Sequence, residues 1–177
     1  MAQAKPGNMP ETKRPPARRY RAMLAWVLLA LVIAFADQGT KFLIGALLAP
    51  GEVRSVTGFF NLVLVFNRGA AFSLLADAAG WQRELFAGIA VAASALIVAL
   101  LARHSADRLF CAGLALILGG ALGNLWDRIA LGHVVDFLDF HALGYHWPAF
   151  NLADSAITVG AALLILDGFR TRKAPAP

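Results

Sequence analysis

Charge is scarce in this sequence. Only 15% of its 177 residues are Asp, Glu, Lys or Arg, while 59% are hydrophobic and the mean hydropathy is +0.63. An ordinary soluble domain carries about a quarter charged residues, so composition points to a membrane protein. The one cysteine, Cys111, sits in an apolar stretch; an intramolecular disulfide is impossible and the residue reads as packing. There is no H-E-x-x-H pair, no cysteine cluster, and no glycine-rich loop following a strand, so the usual zinc and dinucleotide signatures are missing. The net charge of +5 comes from basic residues in the tails and one short connection, without aromatic interleaving or a basic recognition helix. Nucleic acid is therefore not an expected partner.

Long apolar runs occupy the rest. Ala22–Leu48, Trp81–Leu101, Leu109 to about Trp126, and Leu152–Leu166 read as four crossings; the first is longer and the last shorter than the roughly 20 residues that a bilayer requires. Residues 1–20 hold Pro6, Pro10, Pro15 and Pro16 beside Lys5, Lys13, Arg14, Arg18 and Arg19, and are expected to be a disordered basic tail. Ala34-Phe35-Ala36 after an apolar run imitates the cleavage site of a secretory leader. Apolar character resumes at Phe42, however, and a retained first helix uses all of it. Val53–Val65 is rich in β-branched and aromatic residues and reads as a short sheet at about 50–75, with Asn67-Arg68-Gly69 as its turn. Residues 129–150 read as a loop. The expected architecture is an all-α membrane domain over 21–170, with that small sheet between helices 1 and 2 and a short tail at 171–177.

Basic residues set the orientation. Arg21 and the tail before it, Arg103 and Arg108 after the second span, and Arg170, Arg172 and Lys173 at the end outweigh Arg54 and Arg68 in the first large connection; the second has none. The positive-inside rule places both termini in the cytoplasm and both large connections, sheet included, outside. Trp81, Trp126 and Trp147 then fall at the outer interface and Trp26 at the inner one.

Depth follows from the helical rise. Asp37 lies about 24 Å above Arg21, Asn124 at a similar height above Arg108, and Asp154 about 5 Å below the start of the fourth span. Asp37 with Lys41 and Asn124 with Arg128 are i,i+4 pairs, and Asn151 with Asp154 is i,i+3, so each pair shares a helix face. Any one of them alone could be an interface anchor. A short Asp side chain cannot snorkel far, and ionisable groups at this depth turn toward one another. Together they define one polar chamber in the outer leaflet. Gly119 and Gly123 read as a small-xxx-small pattern for close helix approach.

The loop before the fourth span supplies Asp136. Two carboxylates that share a proton can activate water with one group and protonate a carbonyl with the other. Spacing alone leaves Asp127 and Asp139 open as other partners. A zinc site from His133, His141, His146 and Asp139 is a minor alternative, and a proton-coupled transporter is a second, one that requires a polar path to both faces.

The motifs carry a resemblance. Asp37-Gln38 with Lys41 is similar to D-Q-x-x-K of the lipoprotein signal peptidases, also called signal peptidase II. Asn67, Gly69, Ala70, Ala71 and Phe72 match the family's N-x-G-A-A-F; Asn124, Asp127, Arg128, Gly132, Val134, Asp136 and Phe137 match its third block; Asn151, Ala153 and Asp154 match N-x-A-D. Four blocks in order are specific where one alone is weak. The resemblance implies an aspartic endopeptidase of the bacterial inner membrane with its active site on the periplasmic side. Its substrate would be a diacylglyceryl-modified prolipoprotein, cut just before the lipidated cysteine. Asp136 and Asp154 would be the catalytic pair; Asn67, Gly69, Asn124, Arg128 and Asn151 would position substrate and pair; Asp37 and Lys41 would support the core; and the sheet would cradle the substrate. No cofactor or metal is expected. The partners are the lipidated precursor and membrane lipid, and the enzyme is expected to be a monomer.

Overall fold

A computed structural model describes residues 16–69, 81–105 and 107–173. The apolar runs form α1 (Pro16–Leu47), α2 (Gln82–His104), α3 (Arg108–Ala130) and α4 (Leu152–Lys173), four helices long and apolar enough to cross a membrane. The 23 residues of α2 and of α3 reach about 35 Å at the helical rise, a little more than a hydrocarbon core of about 30 Å. Several boundaries differ from the sequence reading. Proline's fixed φ suits a first helical turn, and α1 starts at Pro16, so Pro16–Tyr20 is helical instead of belonging to the expected tail. Residues 1–15 lie outside those described. α3 continues past Trp126 through Asp127 and Arg128, and only Gly132, in the left-handed region at φ 79°, turns the chain away.

Four antiparallel strands pair in the order β1 (Val53–Thr57), β2 (Phe60–Asn67), β3 (Val134–Ala142) and β4 (Tyr145–His146). Half of this sheet comes from the 129–150 connection, which the sequence reading left as a loop and which therefore stands corrected. The partner of β3 is β2, with Val65 opposite Asp136 and Phe60 opposite Phe140, so no short turn announces the pairing. The hairpin between β1 and β2 turns at Gly58. Asn67-Arg68-Gly69 instead ends β2, with Gly69 N–H donating to Asn67 Oδ1 at 2.9 Å. Along β3 side chains alternate. Val135 and Phe137 pack with Leu64 against Ile44 and Leu48 at the end of α1, which turns Asp136 to the opposite face.

α3 is the inner helix, touching α1, α2 and α4, and it buries Cys111, Leu114 and Leu118 with Ala30, Ile97 and Leu101. Lipid gives helices no hydrophobic drive toward one another, so close contact has to supply the association. Small residues provide it. A Cβ on Gly119 would stand 2.6 Å from the Ala30 carbonyl, and one on Gly113 would stand 2.8 Å from that of Gly160.

Candidate active site

The site is built in three layers at the end of the bundle where α1 and α3 finish and α2 and α4 begin. The deepest is a buried charge cluster. Lys41 Nζ lies 2.7 Å from Asp37 and 2.7 Å from Asp127, so one cation on α1 serves carboxylates from two helices. Gln38 donates to Asp127 Oδ1 at 2.8 Å, Val135 N–H to Asp127 Oδ2 at 3.1 Å, and Ala153 N–H to Asp37 Oδ1 at 2.9 Å. Each carboxylate thus ties α1 or α3 to the strand or helix that carries a cavity residue. Gly123 leaves the room this needs, since a Cβ there would stand 2.5 Å from the Asp37 carboxylate.

Two asparagines form the middle layer. Asn124 takes a hydrogen bond from Lys41 at 3.0 Å on its oxygen and gives one to Asp154 Oδ1 at 2.8 Å. Asn151 is fully buried, and its amide donates to Asp136 Oδ1 at 2.8 Å and to Asn124 Oδ1 at 3.2 Å. Its oxygen accepts Asp154 N–H at 2.9 Å, while Asn151 N–H reaches back to Asp154 Oδ2 at 3.3 Å. That reciprocal pair is a capping box, and it puts Asp154 in the first turn of α4, beside the positive end of the helix.

The top layer is the carboxylate pair. Asp136 of β3 and Asp154 of α4 line one cavity of about 540 Å³, together with Asn67, Asn124, Arg128, residues 147–150 before α4 and Ser155 within it. Both Asp136 oxygens face amide donors, Asn151 on one and Asn67 at 3.0 Å on the other. Those amides cannot turn round, because the Asn67 and Asn151 oxygens already hold the N–H groups of Gly69 and Asp154. Burial pushes the Asp136 carboxyl up to about 7; the charge of Asp154 adds to this, and the hydrogen bond from Asn67 offsets only part of it. The Arg128 guanidinium donates to the carbonyls of Asn124 and Gly69, each at 3.2 Å.

Asn67, Asn124, Arg128, Asp136 and Asp154 therefore meet at the cavity, Asn151 stands behind it, Gly69 braces Asn67 and Arg128, and Asp37 with Lys41 lies below. Ala70, Ala71 and Phe72 fall outside the described residues. Of the other partners left open, Asp127 is held by Lys41, and Asp139 accepts from Asn61 Nδ2 at 2.8 Å and lies 2.9 Å from His146 Nδ1; neither lines the cavity. Burial alone would raise Asp139, but the bonds from Asn61 and His146 outweigh it and hold this carboxyl below its usual range. His141 stacks on His146 and His133 packs on Phe66 near the other end of β3, and no described group of three His, Cys, Asp or Glu residues could hold a metal ion. The sequence reading considered Asp127 only as another partner for the carboxylate pair and gave Gln38 no role beyond its place in the first motif, so their part in the buried charge cluster was missed. Asp127 carried a usable signal, since an acid in a crossing helix calls for a buried cation and Lys41 was already in view.

Comparison with known proteins places the sequence and the fold. The family model described as signal peptidase (SPase) II matches residues 29–170. A lipoprotein signal peptidase of Cupriavidus necator is 56% identical over 161 residues, covering 89% of this chain and 92% of that protein. One from Ralstonia nicotianae is 61% identical over 145 residues, covering 82% and 84%. A solved bacterial membrane enzyme superposes with a TM-score of 0.77 at 29% identity, over 86% of this chain and 92% of its own.

Proposed function

The chain belongs to the signal peptidase II family and is a bacterial membrane peptidase of the lipoprotein signal peptidase type, and we propose that it cuts by an aspartic mechanism centred on Asp136 and Asp154. The observation that carries this is the pair of carboxylates, one from the sheet and one from a helix, facing one cavity and bridged by Asn151 and Asn124. Asp136, protonated up to about pH 7, donates to the oxygen of the scissile carbonyl. Asp154 lies beside the α4 N-terminus and receives N–H donors, which suits a carboxylate that takes a proton from the attacking water. The tetrahedral intermediate then collapses, the C–N bond breaks, and a proton passes to the leaving amine. The two carboxyl groups return to sharing one proton.

The substrate is a diacylglyceryl-modified prolipoprotein, cut just before its lipidated cysteine, with the enzyme acting as a monomer in the inner membrane. Basic tails in the cytoplasm would put the cavity and sheet on the periplasmic side, where the signal helix stays in the bilayer and the scissile bond meets water. Asn67, Asn124, Arg128 and Asn151 position the pair and the peptide; Asp37 and Lys41 support them. The apolar core around Ala30, Leu101 and Leu118 beneath the charge cluster argues against a transport path to the other face.

Cleavage of a lipidated precursor by the purified enzyme tests the mechanism. Asp136→Asn and Asp154→Asn should each fold and lose at least about a hundredfold in rate. Full activity in either variant would refute the pair.

A further inference from the structure

We propose that Arg83, together with Phe86, is a positioning residue that holds Arg128 at the rim of the cavity; its catalytic consequence rests on the two-carboxylate reading above. Arg83 stands in the first turn of α2, where the positive end of its own helix disfavours a cation. Its guanidinium serves the neighbouring helix instead. Nε donates to the Arg128 carbonyl at 2.8 Å and Nη2 to the Ile129 carbonyl at 2.9 Å. These carbonyls belong to the last turn of α3, which lacks helical partners and is the negative end where a cation is favoured. The planar fork of arginine is preorganised to span two adjacent acceptors, whereas a lysine offers a single flexible ammonium.

Phe86 lies three residues further along α2, on the same helix face. Its ring sits against the Arg128 guanidinium, 5.3 Å from centroid to carbon. α2 therefore holds Arg128 twice, by its main chain through Arg83 and by its side chain through Phe86. The guanidinium is left donating to the Gly69 and Asn124 carbonyls, and no ion pair joins it to Asp136 or Asp154 among the described residues. The charged groups that face it are Asp154 of α4, Asp136 of β3 and Asp127 of its own helix, with Arg83 approaching from α2. An arginine released from this clamp would settle on the two carboxylates, lower their affinity for a proton, which then passes to water, and fill the space that the peptide bond needs.

The test is the pH profile of kcat/KM for precursor cleavage by full-length wild type, Arg83→Gln, Arg83→Lys and Phe86→Leu, with thermal stability measured on the same samples. Arg83→Gln should lose about ten- to a hundredfold in kcat/KM, and its alkaline limb should move down by about one pH unit. Arg83→Lys should recover part of both, and Phe86→Leu should shift the limb in the same direction by less. An alkaline limb that stays in place or moves up in Arg83→Gln and Phe86→Leu, or a rate loss that merely follows a loss of thermal stability, overturns the proposal. Asp136→Asn is assayed alongside. If it still cleaves, the two-carboxylate reading fails whatever the Arg83 variants do; if it is inactive while the limb is unmoved, only the clamp fails.

Discussion

At the residue scale, Asp136 joins protonation to both rate and stability. Burial pushes its carboxyl from 3.8 up to about 7 in the folded protein, so the acid form that the proposed mechanism requires prevails below about pH 7 and is lost above it. Precursor cleavage should therefore fall as pH rises through about 7, read as the alkaline limb of kcat/KM. A flat rate from pH 6 to 9 would contradict the role of proton donor. For stability the sign is the same. The Asp136 contribution is whole below about pH 3.8, and it is lost as pH rises through about 7, because the fold resists ionising a buried acid that the unfolded chain ionises freely. Lys41 makes the converse case. Lys41→Met would leave Asp37 and Asp127 buried without their cation, and removing one partner of a buried pair costs about 3–5 kcal/mol. Thermal denaturation in detergent should show that loss, and unchanged stability would mean the cluster is not held by charge.

At the scale of elements, the site depends on how α4 starts and on how α1 crosses α3. The capping box that starts α4 uses Asp154 as its acidic member, so helix initiation and placement of the proposed base are one act of folding. The α1–α3 crossing is set by Gly123, where an added methyl meets Asp37. Gly123→Ala should cost about 1–3 kcal/mol by overpacking and should reduce cleavage as Asp37 shifts away from Ala153. Gly88→Ala is the control: nothing lies within 4 Å of the added Cβ on α2, so this variant should keep its activity and its stability. Equal damage in both would mean that helix flexibility, not clearance, is what Gly123 provides.

At the scale of the whole molecule, orientation relative to the bilayer is the testable quantity. Leu143, between β3 and β4, is 100% exposed, whereas Cys111 is completely buried and supplies no labelling background. A cysteine at Leu143 should react with a membrane-impermeant thiol reagent added outside spheroplasts. One at Arg170, near the end of α4, should react only after the membrane is opened. The reverse pattern would place the basic tails outside and remove the periplasmic cavity.

Much of this was readable along the chain. The crossings were legible because apolar run length is compared with a fixed bilayer thickness. The Asp37–Lys41 pair and the nearness of Asn151 to Asp154 were legible because helical rise and pitch put residues three or four apart on one face, whereas the cap that joins the latter two was not read. Those are local relations, determined by the sequence itself. Only the tertiary structure decided that residues 134–142 form a strand, since β3 pairs over most of its length with β2, far away in the chain, and with β4 only at its last two residues. It also decided that Asp127 shares Lys41 with Asp37, that Asp136 meets Asn67 and Asn151, and that Arg83 of α2 closes the end of α3. Each joins groups whose separation depends on how whole helices pack, a distance that no spacing along one element records.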